Sequence, residues 1–213
     1  MIREVSEKTL ELNVCAEILA DIRARPGCGA AYWIGMKQDQ EYRNGLDELL
    51  RNAPGFHLML QFKSPSPRPP DTLPYSFAIG GKQLSCLRRL AALHPDAVHY
   101  VFPFFNTLRS LQTASPNLLS DTWFLRVRRI PPGDHHRADC GPGAAMIYSD
   151  PKKEPLQNWK GVTEYWNAIR RESISSETLR DWVRFVSKEF HGPQAGQILR
   201  GLGTIFFPST GAS

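Results

Sequence analysis

Four polar side chains in the N-terminal half, Glu11, Asp47, Gln61 and Lys63, have the types and spacing to work on a phosphate ester. Glu11 lies in a stretch whose apolar positions, Leu10, Val14, Cys15, Ile18, Leu19 and Ile22, recur at helical spacing. At ~100° per residue it projects within that apolar stripe, away from the solvated face that suits Glu17 and Asp21. A carboxylate buried alone is costly, so a metal ion or a lysine is expected beside it. Asp47 sits in a Gly-Leu-Asp step. Gln61 and Lys63 are one residue apart, which on a strand turns both to one face. A hairpin pairing the Asp47 and Gln61 segments would gather the three at one end of a sheet. Carboxylate and amide oxygens are hard ligands that suit Mg²⁺, or Mn²⁺ in its place. Such an ion lowers the pKa of a bound water and stabilises charge on a transferring phosphoryl group. Lys63 would orient that water or stabilise the developing charge. The set is equipment for phosphodiester hydrolysis.

The elements that must position these residues are readable in outline. Ser6 can cap a helix that runs to about Arg25, where Pro26-Gly27 stops it. Residues 30–36 form a short β-prone run, and Lys37 to Asn44 is polar. Residues 45–50 read as a strand, 52–55 as a turn, and Phe56 to Lys63 as a strong central strand. The prolines at 65, 67, 69, 70 and 74 make residues 64–74 an irregular loop. An amphipathic helix follows over 81–93, then a buried strand over 97–105 and a short helix over 107–113. Residues 121–130 alternate as a strand with a basic edge. Residues 134–155 read as a loop or linker, and helices are expected at about 161–171 and 176–190. The tail from Gly192 carries no assignable pattern. The order predicts an α/β protein with a mixed central sheet flanked by helices over residues 1–133. A helical C-terminal extension over 156–213 either joins that domain or stands beside it.

Bulk properties narrow the class. With 213 residues, 41% hydrophobic and 22% charged, the chain is too apolar for general disorder. No apolar run nears the roughly 18 residues that span a bilayer, and residues 1–8 lack the apolar core of a secretory signal. No membrane partner is expected. Cys15, Cys28, Cys86 and Cys140 are scattered, which points to a reducing, cytoplasmic setting. The net charge of +5 suits an anionic partner such as nucleic acid. Arg88, Arg126 and Arg128 are the candidates for phosphate contact.

Each candidate has a competing structural reading. Glu11 on a helix edge could reach solvent, Asp47 could cap a turn, and Lys63 could end a strand and snorkel. Gln61 is harder to dismiss, because an amide in so apolar a strand needs partners. Gln38, Gln40 and Glu41 could line the same cleft, Glu41 as an extra ligand, or form a solvated loop. Residues 134–140 hold two histidines, two aspartates and a cysteine, but zinc needs four ligands in orderly spacing, and a loop is the expectation.

In order and spacing, Glu11 in a leading helix, Gly45-Leu-Asp47, and Gln61-Phe-Lys63 before helix and strand resemble the PD-(D/E)xK nuclease superfamily. The likeness is to its restriction-type, Mrr-like branch, where Gln replaces the acid of the third motif. It spans residues 9–130 of this chain. The resemblance implies a restriction-endonuclease-like core, Mg²⁺ or Mn²⁺ dependence, and endonucleolytic cleavage of DNA in an antiviral defence or restriction setting, with a homodimer or partner protein. It implies Glu11, Asp47 and Gln61 as metal ligands and Lys63 as the catalytic lysine. Gln is a weak, neutral ligand, so the alternative is an inactive nuclease-fold module that binds nucleic acid or protein.

Overall fold

Ser6 accepts a hydrogen bond from the Thr9 backbone N–H and opens helix α1, Glu7–Arg23, whose apolar stripe is buried as its spacing predicts. The computed structural model describes residues 5–35, 55–65, 75–105, 107–133, 136–141, 144–147, 156–164, 166–171, 173–190, 194, 198 and 200–208. After α1 come strands β1 (Tyr32–Gly35), β2 (Gly55–Phe62) and β3 (Tyr75–Ile79), helix α2 (Gly81–Leu93) and strand β4 (Val98–Pro103). Helix α3 (Leu108–Ala114) leads through a 3₁₀ turn, Leu118–Asp121, into β5 (Thr122–Arg126). Then follow β6 (His136–Gly141), β7 (Ala144–Ile147), β8 (Gln157–Asn158), α4 (Trp159–Thr163) and α5 (Trp166–Arg171). Strand β9 (Ile174–Ser175), helix α6 (Ser176–Glu189) and β10 (Leu202–Pro208) complete the described chain.

The architecture is mixed α/β. The main sheet runs β1-β10-β2-β4-β5-β8, with β9 also on β2, and only β2 and β4 pair in parallel. Helices α1, α4 and α5 cover one face, where Leu58, Leu60 and Phe62 of β2 meet Leu10, Val14, Ile18, Trp159 and Ile169. Helices α2 and α6 cover the other, joined by a second sheet, β3-β6-β7, with Met59, Tyr100 and Phe102 beneath them. Strand β2 is thus buried on both faces, which explains its nearly unbroken apolar sequence. Among the described residues no helix is long and apolar enough to cross a membrane. All four cysteines are free and buried.

The structure departs from the sequence expectations in four places. The expected loop at 134–155 contains β6, which pairs with β3, and β7, which pairs with β6, and β3 itself is unassigned in the sequence reading. The expected strand over 121–130 ends at Arg126 and tightens into a 3₁₀ turn at Val127–Arg129. The C-terminal part is no separate helical extension: β10 lies between β1 and β2, and Trp159 Nε1 donates to Asp21 of α1 at 2.9 Å. Finally, the expected hairpin cannot form at Gln61. Its strand pairs with Leu202 of β10 on one edge and Tyr100 of β4 on the other, which leaves no edge for a third partner. The expected strand over 45–50 lies outside the described residues.

Two buried histidines in this core are held neutral. His57 is wedged between Thr204 Oγ1 at 2.9 Å and Ser176 Oγ at 3.0 Å, tying β2 to β10 and α6. His99 has no hydrogen-bond partner at either ring nitrogen among the described residues. Burial lowers both pKa values from 6.5 to about 3, with the Arg126 and Arg128 charges adding to the effect at His99. The unfolded chain therefore takes up protons below pH 6.5 that the fold refuses, and stability falls as pH drops from there toward 3. Each histidine contributes a loss of about 1.4 kcal/mol per pH unit. Urea denaturation at successive pH values should show this slope, and His99→Leu should halve it.

Candidate active site

The candidate residues converge on the end of the sheet where β2 finishes, yet they do not assemble as one cluster. Glu11 is 3% exposed on the α1 face. Its Oε1 accepts from Lys8 Nζ at 2.6 Å and from the Trp33 indole N–H at 3.3 Å. A lysine beside this acid was one of the two compensations its burial demanded. Gly35, at the end of β1, backs onto the same pair: a Cβ there would stand 3.1 Å from Lys8 Nζ and 3.3 Å from Glu11 Oε1.

Gln61 lies on the opposite face, fully buried beneath α2. Its amide N–H₂ donates to the carbonyls of Arg200 at 2.9 Å and Phe62 at 2.8 Å, and its Oε1 accepts from Gln83 Nε2 at 2.8 Å. Gln83 also donates to the Ile198 carbonyl at 2.7 Å. The Gln61–Gln83 pair is an amide clamp joining β2, α2 and the approach to β10. Its geometry does not fit a metal ligand, since the oxygen that would face an ion is already an acceptor inside the core. Gln61 is thereby reassigned from ligand to structural clamp. The expectation that a buried amide needs partners holds.

Lys63 follows β2 on the same face as Gln61, with its ammonium 5.8 Å from the Tyr100 ring centre. It forms no ion pair and no side-chain hydrogen bond among the described residues. Burial pulls its pKa down, the Glu7 carboxylate opposes that shift, and the Arg200 charge adds to it. The carboxylate within reach of Lys63 is therefore Glu7, one helical turn before Glu11. The two faces meet where the sheet ends. There Ser64 Oγ donates to Glu7 Oε2 at 3.2 Å. Gly201, at φ +66°, passes so close that a Cβ would overlap Glu7 and crowd the Phe62 carbonyl. Only glycine suits both that dihedral and that approach.

The remaining candidates fall in three groups. Asp47, Glu41, Gln40 and Gln38 lie outside the described residues. Arg126 is 4% exposed and paired with Asp96 at 2.7 Å, so it is corrected from a phosphate contact to a buried ion pair. Arg88 is corrected likewise: its guanidinium donates to the carbonyls of Ile130, Pro131 and Gly133, holding the turn after the 3₁₀ segment. Arg128 pairs with the same Asp96 at 3.1 Å but stays 43% exposed, and of the three it presents its charge most fully to solvent.

Sequence reasoning missed Glu7, Trp33, Gln83 and Arg200. The first carried a signal, because Glu7 and Glu11 at i and i+4 share a helix face. A tryptophan N–H in an apolar strand also requires an acceptor. Gln83 and Arg200 act through contacts far apart in sequence that no local pattern reports.

As a metal site the described residues are incomplete. Among them no group of three or more His, Cys, Asp or Glu side chains could hold an ion. Glu11 has the chemistry of a ligand, with one oxygen committed to Lys8 and Trp33. Comparison with protein-family models, curated proteins and solved structures finds no match.

The clamp makes a direct prediction. Gln61→Ala removes three hydrogen bonds, two of them buried, so it should cost about 2–4 kcal/mol of stability in EDTA. Urea denaturation reads this. A residue that served only to bind metal would leave the metal-free protein as stable as before.

Proposed function

We propose that the protein acts on nucleic acid, DNA in the first instance, as a phosphodiester hydrolase of restriction-endonuclease-like build. Lys63 carries the reading. A lysine desolvated at the end of a central strand, with no ion pair among the described residues and the Glu7 carboxylate nearby, costs free energy that packing alone does not require. Glu11 and Asp47 would hold Mg²⁺ or Mn²⁺, which when bound supplies an activated water and stabilises phosphoryl charge. Lys63 holds positive charge for the phosphate or positions the attacking water. Lys8 and Trp33 fix the Glu11 carboxylate, and the clamp of Gln61 and Gln83 fixes the strand that ends in Lys63.

A second reading is favoured by the engaged Gln61 amide and the ion-paired Glu11: a module that keeps this build and binds nucleic acid without cutting it.

Incubation with plasmid, linear duplex and single strands, with Mn²⁺ or with EDTA, separates the two. Hydrolysis should require the ion and fall about 10²–10³-fold in Lys63→Ala and in Asp47→Ala, the scale for losing one stabilising group at a reacting phosphate. Binding without cutting under every condition would leave the second reading. Cutting that survives both substitutions would remove this site from the chemistry.

A further inference from the structure

Between Phe104, just past the end of β4, and helix α3 lies an open cavity of about 430 Å³. That volume falls in the roughly 300–1,000 Å³ range of sites for small organic groups. The rings of Tyr75 and Phe104 form one wall, 4.8 Å apart between centroids, with Phe104 half-buried. The opposite side is built by α3 and by Asp121, whose carbonyl accepts from the Phe104 backbone N–H at 2.7 Å.

The polar groups of the cavity divide sharply. The hydroxyls of Thr107 and Ser110 satisfy each other and the first turn of α3, and Thr113 Oγ1 donates to the Arg109 carbonyl. They are taken. The Arg109 guanidinium and the Asp121 carboxylate form neither an ion pair nor a hydrogen bond among the described residues, although both line the cavity. The site thus offers the half-buried Phe104 ring, one acceptor of N–H donors and one cation.

A ligand complementary to all three is a planar ring bearing N–H donors and attached to an anion. We propose that this cavity is the subsite for a single unpaired nucleotide, its base against Phe104 and its phosphate toward Arg109. A base inside a duplex has no free ring face, so the nucleotide must come from a single strand or be turned out of the stack. Guanine is the preferred occupant, because its N1–H and 2-amino group present two parallel donors to one carboxylate, as Asp121 requires. Adenine and cytosine offer the amino group alone, and thymine a single ring N–H. The inference rests on the nucleic-acid reading above and adds strand state and base preference to it.

Fluorescence anisotropy with labelled ten-nucleotide strands in EDTA tests this without any need for cleavage. An oligothymidine with one central guanine should bind about tenfold more tightly than oligothymidine alone, the worth of one charge-assisted contact. Both single strands should bind more tightly than the matching duplex. Asp121→Asn should erase the guanine preference, while Arg109→Gln weakens both strands by a similar factor and keeps it. Equal affinity for the two strands in the unaltered protein, or a guanine preference that persists in Asp121→Asn, would overturn the proposal. A protein that shows the Asp121-dependent preference but never cuts with Mn²⁺ loses the hydrolase reading alone. One that cuts without the preference loses only this subsite.

Discussion

The pairing of β10 along the whole of β2 is the constraint on which the rest of the molecule depends. From Leu202 opposite Gln61 to Pro208 opposite Gly55, the last strand closes one edge of the central one, while β4 and β9 close the other. Because both edges are consumed, β2 cannot shift register without losing two ladders at once, and a shift of one residue would turn its whole set of side chains over. That fixes which face receives Gln61 and Lys63. It also fixes where the strand stops, and so where a desolvated ammonium emerges beside the first helix.

The candidate site is organised around burial more than around exposed charge. Glu11, Gln61 and Lys63 all sit where water is largely excluded, and each is met differently. The acid has a lysine and an indole N–H, the amide has a second amide and two carbonyls, and the ammonium has an aromatic face. An ammonium over a ring is stabilised far less than one paired with a carboxylate, so Lys63 keeps the capacity to meet a new anion. The arginines that looked available in the sequence are mostly spent. Arg88 fastens a turn and Arg126 neutralises Asp96 inside the protein, which leaves a basic composition with less free positive surface than the count suggests.

The sequence disclosed those parts whose signal is local. The capped amphipathic α1, the apolar β2, the helix over Gly81–Leu93 and the strand after it were all legible from periodicity and turn residues. So was the burial of Glu11, from its angular position alone, and the need of Gln61 for partners. What escaped was set by distant contacts. The tail reads as Gly-Leu-Gly followed by a few apolar residues, a poor strand by propensity. It becomes a central strand because Gly203 leaves room for the Trp33 ring, which a Cβ would overlap. The segment after Pro131-Pro-Gly133 looked like loop for its glycines and charges, yet β6 pairs with β3 through backbone groups that composition does not reveal. The shared site of Glu11 and Gln61 failed for a related reason: parity along one strand is readable, but which helix covers which face is not.

The position of β10 has a consequence for how the molecule comes into being. Tyr32 pairs with Phe206 and Gly35 with Gly203, so β1 waits on a segment synthesised far later in the chain. Contacts so distant along the chain are slow to form, since the loop must close before any pairing repays it. Until then the Trp33 indole has no glycine to lie against and the Gln61 amide has no Arg200 carbonyl. A nascent chain therefore carries the candidate side chains without their geometry until β10 has been made and has paired.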